Sequence, residues 1–149
     1  MRIETTRFGV VEIDDNALLT MPNGLMGFEN MTEYCLIQHQ PTAKFKWLQS
    51  TQEPSLAFVV VDPSEYFSDY EIEIADSDVN KLQLSSALDA AVLVILTIRG
   101  GGQRVSANLS APIVVNSKNL TALQVVLQDE RHETRHALTP THIKHTAAA

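Results

Sequence analysis

Leu56-Ala57-Phe58-Val59-Val60-Val61, followed by Asp62-Pro63, is the stretch of sequence that decides the fold class. A continuous apolar run of this length, rich in β-branched residues, predicts a strand that is buried on both faces. Proline cannot donate a ladder hydrogen bond, so the predicted strand ends there. The run from Ala90 to Ile98 has the same character and predicts a second central strand. We therefore expect a core that is built from strands.

Shorter β-prone runs lie on both sides of these two central strands. The residues from Arg2 to Ile13 predict a hairpin or meander, because Phe8-Gly9 interrupts the pattern and the turn cluster Asp14-Asp15-Asn16 follows it. A strand at Leu18 to Met21 runs into the turn Pro22-Asn23-Gly24. The remaining predicted strands are Glu33 to Gln38, Phe45 to Ser50, Val105 to Leu109, Ile113 to Asn116 and Leu123 to Leu127.

The segment after Asp62-Pro63 alternates between apolar and acidic residues. In Tyr70-Glu71-Ile72-Glu73-Ile74 the apolar side chains fall on one face and the two glutamates on the other, which predicts a half-exposed strand. One helix follows it. Asp76 or Ser77 is its predicted cap, and Asp78 suits its first turn. A short apolar stripe is predicted from Val79, Leu82 and Leu84.

These elements predict a mainly β protein. Nine or ten short strands, one or two short helices and no helical crossovers favour a compact antiparallel β-barrel or sandwich. The 149 residues, of which 44% are hydrophobic, are enough for one ordinary core. We predict a single domain over residues 1–127 and a C-terminal extension over residues 128–149, flexible beyond residue 138.

Composition argues against membrane, disulfide and cofactor chemistry. The longest apolar run, Ala90 to Leu96, is far too short to span a bilayer, and no signal-like stretch opens the chain, so we expect a cytoplasmic protein without a membrane partner. The single cysteine, Cys35, excludes an intrachain disulfide and is predicted to be a buried core residue. No cofactor is expected.

No motif points to a catalytic site. Gly100-Gly101-Gly102 lacks the spacing and the following Lys of a phosphate-binding loop, and it is better interpreted as a hairpin tip. His132 and His136 are spaced to share a helical face, but no zinc motif surrounds them, so no metal site is predicted. A small enzyme on a β-barrel remains an alternative, which a saturable small-molecule ligand would favour.

The distribution of charge is the sharpest compositional feature. The formal net charge is −7 at pH 7, and no Lys or Arg lies between Lys46 and Lys81. This interval carries the acids Glu53, Asp62, Glu65, Asp69, Glu71, Glu73, Asp76 and Asp78. Such a stretch is either a solvated face that aids solubility or a surface that steers a basic protein, and it argues against direct nucleic-acid binding.

Several blocks in order resemble one known family. They are Phe8-Gly9 with Val11-Glu12-Ile13, residues 22–29 (PNGLMGFE), Leu48-Gln49-Ser50, residues 54–63 (PSLAFVVVDP), Tyr70-Glu71-Ile72, residues 94–97 (VILT), residues 107–116 (ANLSAPIVVN) and residues 124–127 (QVVL). Each block alone is weakly specific. Taken together they make the chain similar to the bacterial flagellar assembly factor FliW family over roughly residues 3–138.

That resemblance implies a regulator with two protein partners and no enzymatic activity. Members of the family bind flagellin in the cytoplasm and also bind the RNA-binding translational repressor CsrA, so that repression of flagellin translation is relieved by partner exchange. A structural component of the flagellum is the other alternative. From the charge pattern we predict a partner-binding surface that comprises Asp62, Glu65, Tyr66, Phe67, Asp69, Glu71, Glu73, Asp76 and Asp78.

Overall fold

Strands dominate the computed structural model, which describes residues 1–38, 44–99 and 104–127 and the backbone of residues 136 and 137. Within these ranges the strands are β1 (Arg2–Thr5), β2 (Gly9–Glu12), β3 (Leu18–Thr20), β4 (Glu33–Ile37), β5 (Phe45–Ser50), β6 (Ala57–Val61), β7 (Ala90–Arg99), β8 (Arg104–Ala107), β9 (Ile113–Asn116), β10 (Ala122–Gln124) and β11 (His136–Ala137). The helix α1 is Asp76–Leu82, and short 3-10 turns occur at Asp15–Ala17, Pro63–Glu65 and Ala87–Asp89.

One large sheet organises the molecule. Its strands follow the order β10-β9-β7-β6-β5-β4-β3, while β8 pairs with the second half of β7 and with β11. Strands β1 and β2 form a separate two-stranded sheet. Every strand pair is antiparallel.

The two ends of the large sheet meet at a single point. Thr20 at the end of β3 forms a parallel bridge with Thr121, and its N–H donates to the carbonyl of Leu120 at 2.9 Å. No closed barrel is found in the described ranges, whereas the sandwich alternative fits. The predicted mainly β, antiparallel fold is confirmed.

The core is built largely from the strands of this sheet. Its fully buried side chains come from several strands and from the turn after β3, and they include Met21, Tyr34, Leu48, Val60 and Ile113. Cys35 is also buried, as predicted. Of the run that opened the sequence analysis, Val59–Val61 are buried while Ala57 and Phe58 are half-buried. The predicted central strand is therefore confirmed, with its first residues nearer the surface.

The two-stranded sheet is attached through its turn. Phe8 packs edge-on against Trp47 with the ring centroids 5.9 Å apart, and the Arg7 guanidinium lies 4.1 Å from the Trp47 ring. The Thr6 N–H donates to the carbonyl of Pro54 at 2.9 Å. Aromatic and cation–π contacts of this kind contribute on the order of 1 kcal/mol each.

Most predicted elements are confirmed, and two predictions are wrong. Residues 70–74 belong to no strand, so the predicted half-exposed strand is wrong. The helix cap is Ala75 and not Asp76 or Ser77, and Ala75 offers no side-chain hydrogen bond. The glycine tip at residues 100–102 and the histidines of the tail other than His136 lie outside the described residues. In the described ranges, no helix has the length and apolar character that crossing a bilayer requires.

Candidate functional site

The acidic segment, which we define as residues 62–78, leaves the large sheet at the end of β6. Asp62 starts a 3-10 turn by accepting hydrogen bonds from the Ser64 N–H at 2.9 Å and the Ser64 hydroxyl at 2.7 Å. Pro63 is buried in this turn, and its carbonyl accepts from the N–H groups of Tyr66 and Phe67. The sequence Asp-Pro-Ser thus turns the chain away from the strand.

Aromatic side chains hold the segment against the sheet. Phe67 is 8% exposed and packs with Val61, Val94, Ala107 and Leu109. Tyr66 is half-buried against the same cluster. Phe67, one of the predicted partner-binding residues, therefore fills the core in this structure and does not present its ring to solvent.

Tyr70 links the segment to the chain that follows β8. Its hydroxyl donates to the carbonyl of Leu109 at 2.6 Å, and its ring packs with Tyr66 on the Phe67 cluster. Burial raises the pKa of Tyr70 to about 12, because the phenolate would lose its hydration. Tyr70 therefore stays protonated, and keeps its hydroxyl proton for this bond, at physiological pH.

The extended residues after Tyr70 keep the predicted alternation without the predicted strand. Ile72 and Ile74 pack against the buried Leu82, Val114 and Leu123. Glu71 and Glu73 point to solvent on the other side. Packing of the isoleucines, and not ladder hydrogen bonding, directs these two carboxylates outward.

Helix α1 ends the segment and is fixed at its C-terminus. Asn116 and Asn119 donate side-chain hydrogen bonds to the carbonyl of Leu82 at 2.8 and 3.1 Å. Asp76 is exposed and Asp78 is half-exposed in the first turn, where carboxylates stabilise the positive end of the helix dipole. The two aspartates therefore extend the acidic surface onto α1.

The carboxylates of the segment form a surface on which few positive side chains neutralise the negative charge. Those classed as exposed are Asp62, Glu65, Asp69, Glu71, Glu73 and Asp76. Among the described residues one ion pair reaches them, between Lys44 Nζ and Glu65 Oε2 at 3.3 Å. The predicted acidic residues are thus brought onto one continuous stretch of surface chain, which carries a negative potential.

A groove beside this segment was not anticipated from the sequence. It has a volume of about 250 Å³ and lies between the turn 62–64, Tyr70 with Ile72, and the first residues of β7, 90–92. The sequence did contain one signal for it, because the apolar run predicted for β7 is longer than the run predicted for β6. A strand that is longer than its neighbour leaves part of its hydrogen-bonding edge unpaired.

Exposed apolar side chains lie on a different loop. Residues 21–29 form tight turns in which the Met26 N–H donates to Gln124 Oε1 at 2.9 Å. Met26 and Phe28 are 56% and 40% exposed, and Phe28 packs edge-on against Phe58 at 5.5 Å. The loop therefore presents apolar surface on a backbone that hydrogen bonds hold in place.

Two kinds of reactive group can be assessed in the described ranges, namely metal-ligand clusters and the cysteine thiol. They contain no group of three or more His, Cys, Asp or Glu side chains that could hold a metal ion. Burial, with a smaller effect of the Glu33 charge, raises the pKa of the Cys35 thiol to about 11. A buried, protonated thiol is a core group and a poor nucleophile.

Comparison with known proteins gives one consistent result. The family model described as FliW protein matches residues 2–138. The flagellar assembly factor FliW of Syntrophus aciditrophicus is 39% identical over 136 residues, which cover 91% of this chain and 86% of the relative. The flagellar assembly factor FliW of Leptospira biflexa is 37% identical, covering 89% and 88%.

A solved structure agrees with these relatives. The crystal structure of the flagellar assembly factor FliW superposes with a TM-score of 0.87 at 34% sequence identity. The match covers 94% of this chain and 98% of that one. The relatives are named as assembly factors and not as enzymes.

Proposed function

The chain belongs to the FliW family of flagellar assembly factors, and we propose that it works by binding two proteins in turn, flagellin and the translational repressor CsrA. In the cytoplasm, free flagellin occupies the factor, and the released repressor blocks flagellin translation. When flagellin is exported, the factor captures the repressor and synthesis resumes. This exchange needs no catalysis, no cofactor and no contact with RNA or a membrane.

The acidic surface of residues 62–78 is the observation that carries the repressor half of this proposal. A protein that grips RNA presents Lys and Arg to the phosphates. Exposed carboxylates on the acidic segment, of which only Glu65 has a described ion pair, attract such a basic surface and speed its capture. These carboxylates are negatively charged, as the phosphates of RNA are. They therefore also suit a protein that competes with RNA for the repressor.

Flagellin calls for a different kind of surface. Its terminal segments are expected to be amphipathic helices that are unpaired before assembly, and such helices bind through an apolar face. The exposed Met26 and Phe28 supply apolar surface, and the backbone that carries them is held by hydrogen bonds. Binding of this kind depends weakly on salt.

Reversing two charges of the acidic segment tests the proposal. Glu71→Lys with Glu73→Lys leaves the fold intact, since exposed substitutions change the free energy of unfolding by only about 0.5 kcal/mol. We expect the association rate with purified CsrA to fall about tenfold at low salt, and the wild-type rate to decrease as salt is added. The rate with flagellin should change less. Stopped-flow kinetics across a salt series measures both.

A matched control changes the same amount of charge elsewhere. Glu4→Lys with Asp15→Lys alters two exposed acids outside the acidic segment. The control should leave the association rate with CsrA within about twofold of wild type. Equal rates for the wild type and the Glu71/Glu73 variant would reduce the acidic segment to a solubilising face.

A further inference from the structure

Among the described residues, the first half of β7 has a strand partner on one edge only. Residues 90–93 pair with β9, and β6 pairs only with residues 94–96. Strand β6 stops at Val61 because Asp62-Pro63 turns the chain away. The edge that β6 leaves uncovered faces the groove of about 250 Å³ described above.

Hydrogen bonds on neighbouring strands show which way the backbone of β7 points. The Asn108 N–H donates to the carbonyl of Ile95 at 3.0 Å, so the odd-numbered residues of β7 face β8 and β9. The Asn116 N–H donates to the carbonyl of Thr121 at 2.9 Å, which turns Val114, the register partner of Val92, toward β10. The N–H and C=O of Val92 therefore point away from β9 and into the groove, since alternate residues face opposite edges.

The residue that would continue the β6 ladder cannot satisfy these groups. Extending the register Val61–Val94 places Pro63 opposite Val92. Proline has no N–H, and the Pro63 carbonyl already accepts from Tyr66 and Phe67. Within the described ranges, no hydrogen bond joins Val92 to the turn 62–64. The groove thus contains the N–H donor and the C=O acceptor of Val92, arranged as on the open edge of a strand.

The walls of the groove define what kind of segment fits beside this edge. Pro63, Ile72 and Ala91 are apolar, and the volume suits a short piece of chain better than a folded domain. Asp62 lines the groove, and Glu71 lies between the two lining residues Tyr70 and Ile72. A segment in this place meets Asp62 and lies next to the acidic surface of residues 62–78, so Lys or Arg side chains complement it.

We propose that this groove binds an extended, basic segment of a partner protein, which adds as a short strand to the open edge of β7 at Val92. Backbone hydrogen bonds to Val92 supply the register, small apolar side chains settle against Pro63 and Ile72, and a Lys or Arg side chain faces Asp62. The inference rests on the proposed function in one respect, namely that the partner is basic.

Three capped eight-residue peptides test the mode of binding with the full chain. The first alternates lysine and valine, the second replaces every lysine by glutamate, and the third is the first with alternate backbone nitrogens methylated. We expect the first to shift the Val92 amide resonance in a saturable titration. The glutamate and N-methylated peptides should bind at least about tenfold more weakly, because they lack charge complementarity or backbone donors. Equal binding of all three, or no saturable shift, overturns the proposal.

A groove-filling variant with a control on the same strand tests the place. Ala91→Leu puts a larger side chain at an exposed position that lines the groove, whereas Thr97→Leu adds apolar volume at an exposed position of β7 beyond it. The first should weaken binding of the lysine–valine peptide about tenfold, and the second should leave it within about twofold. Unchanged binding in Ala91→Leu overturns the assignment to this groove.

The two proposals fail in different ways. In one outcome, Glu71→Lys with Glu73→Lys slows association with CsrA, while Ala91→Leu changes neither CsrA binding nor peptide binding. This result supports the acidic surface as the CsrA-binding site and contradicts the groove proposal. If Ala91→Leu weakens peptide binding while CsrA binds every variant alike, the groove holds basic strands and the repressor binds elsewhere.

Discussion

Gly24 shows how a single residue fixes the loop that carries Met26 and Phe28. Its φ is +62°, and a Cβ at this position would lie 2.5 Å from the carbonyl oxygen of Phe28 and 2.7 Å from Glu29 Cα. Both contacts are with backbone, so no side-chain rotation relieves them. The glycine is needed because the loop folds back onto itself here.

Replacement of this glycine should destabilise the protein more than a positive φ alone would, because the new Cβ also collides with backbone atoms. We expect Gly24→Ala to lower the free energy of unfolding by about 3 kcal/mol. Gly9→Ala is the matched control, because Gly9 has a φ of +70° with open space around its Cβ position. That variant should lose about 1 kcal/mol. Urea denaturation of both variants checks the difference, and equal losses would show that the loop adjusts.

Phe67 marks a limit of sequence reasoning at this scale. An aromatic residue among acids is as compatible with a surface anchor as with the core, because composition carries no information on which way the chain turns. The structure buries it, since the Pro63 turn brings it back onto Val61 and Val94. The exposed acids around it could be predicted, because a charged side chain without a partner stays in water.

At the scale of elements, most strands of the sheets were predictable, whereas residues 70–74 were wrongly assigned to a strand. The bounds predicted for β5 and β9 agree with the structure, because each run of β-prone residues is followed by a polar turn. Residues 70–74 show the same alternation as a strand, yet their isoleucines face the core without any ladder. Alternation in the sequence indicates which side chains are buried. Whether the backbone pairs in a sheet depends on residues that are distant in sequence, and a local pattern carries no information about them.

The beginning of α1 offers a test at this scale. Ala75 occupies the cap position with φ −62° and ψ 148°, and it provides no side-chain acceptor for the first turn. Ala75→Ser supplies one and should raise the free energy of unfolding by about 1 kcal/mol.

The sequence-based alternative for this cap serves as the control. Ser77 lies inside the helix, so Ser77→Ala should change the free energy of unfolding by no more than about 0.5 kcal/mol. Chemical denaturation compares the two variants. A loss in Ser77→Ala larger than the gain in Ala75→Ser would place the cap where the sequence predicted it.

For the whole molecule, the outer edge of β8 depends on residues beyond the domain predicted at 1–127. His136 and Ala137 pair with Ala107 and Ser106 of β8. The family model also extends to residue 138. The part of the chain that this sheet uses therefore reaches to that point at least.

Two truncations test this extent. Removal of residues 139–149 should leave the melting temperature within about 1 °C, since the β8–β11 pairing is kept. Removal of residues 128–149 uncovers the β8 edge and should lower the melting temperature by about 3–6 °C and increase self-association. Differential scanning calorimetry and light scattering measure the two effects. A fall of several degrees in the shorter truncation would show that the last residues also hold the fold.

The point where the two ends of the sheet meet also bears on the order in which the chain assembles. Strands β4, β5 and β6 are neighbours in both sequence and sheet, so their hairpins close short loops. The Met26–Gln124 hydrogen bond, by contrast, joins residues 98 positions apart. Closing a long loop costs more chain entropy, so distant contacts form after local ones have narrowed the search. We therefore expect the β4–β6 hairpins to nucleate folding, and the junction of Thr20 with Thr121 to be the last part to form and the first to open.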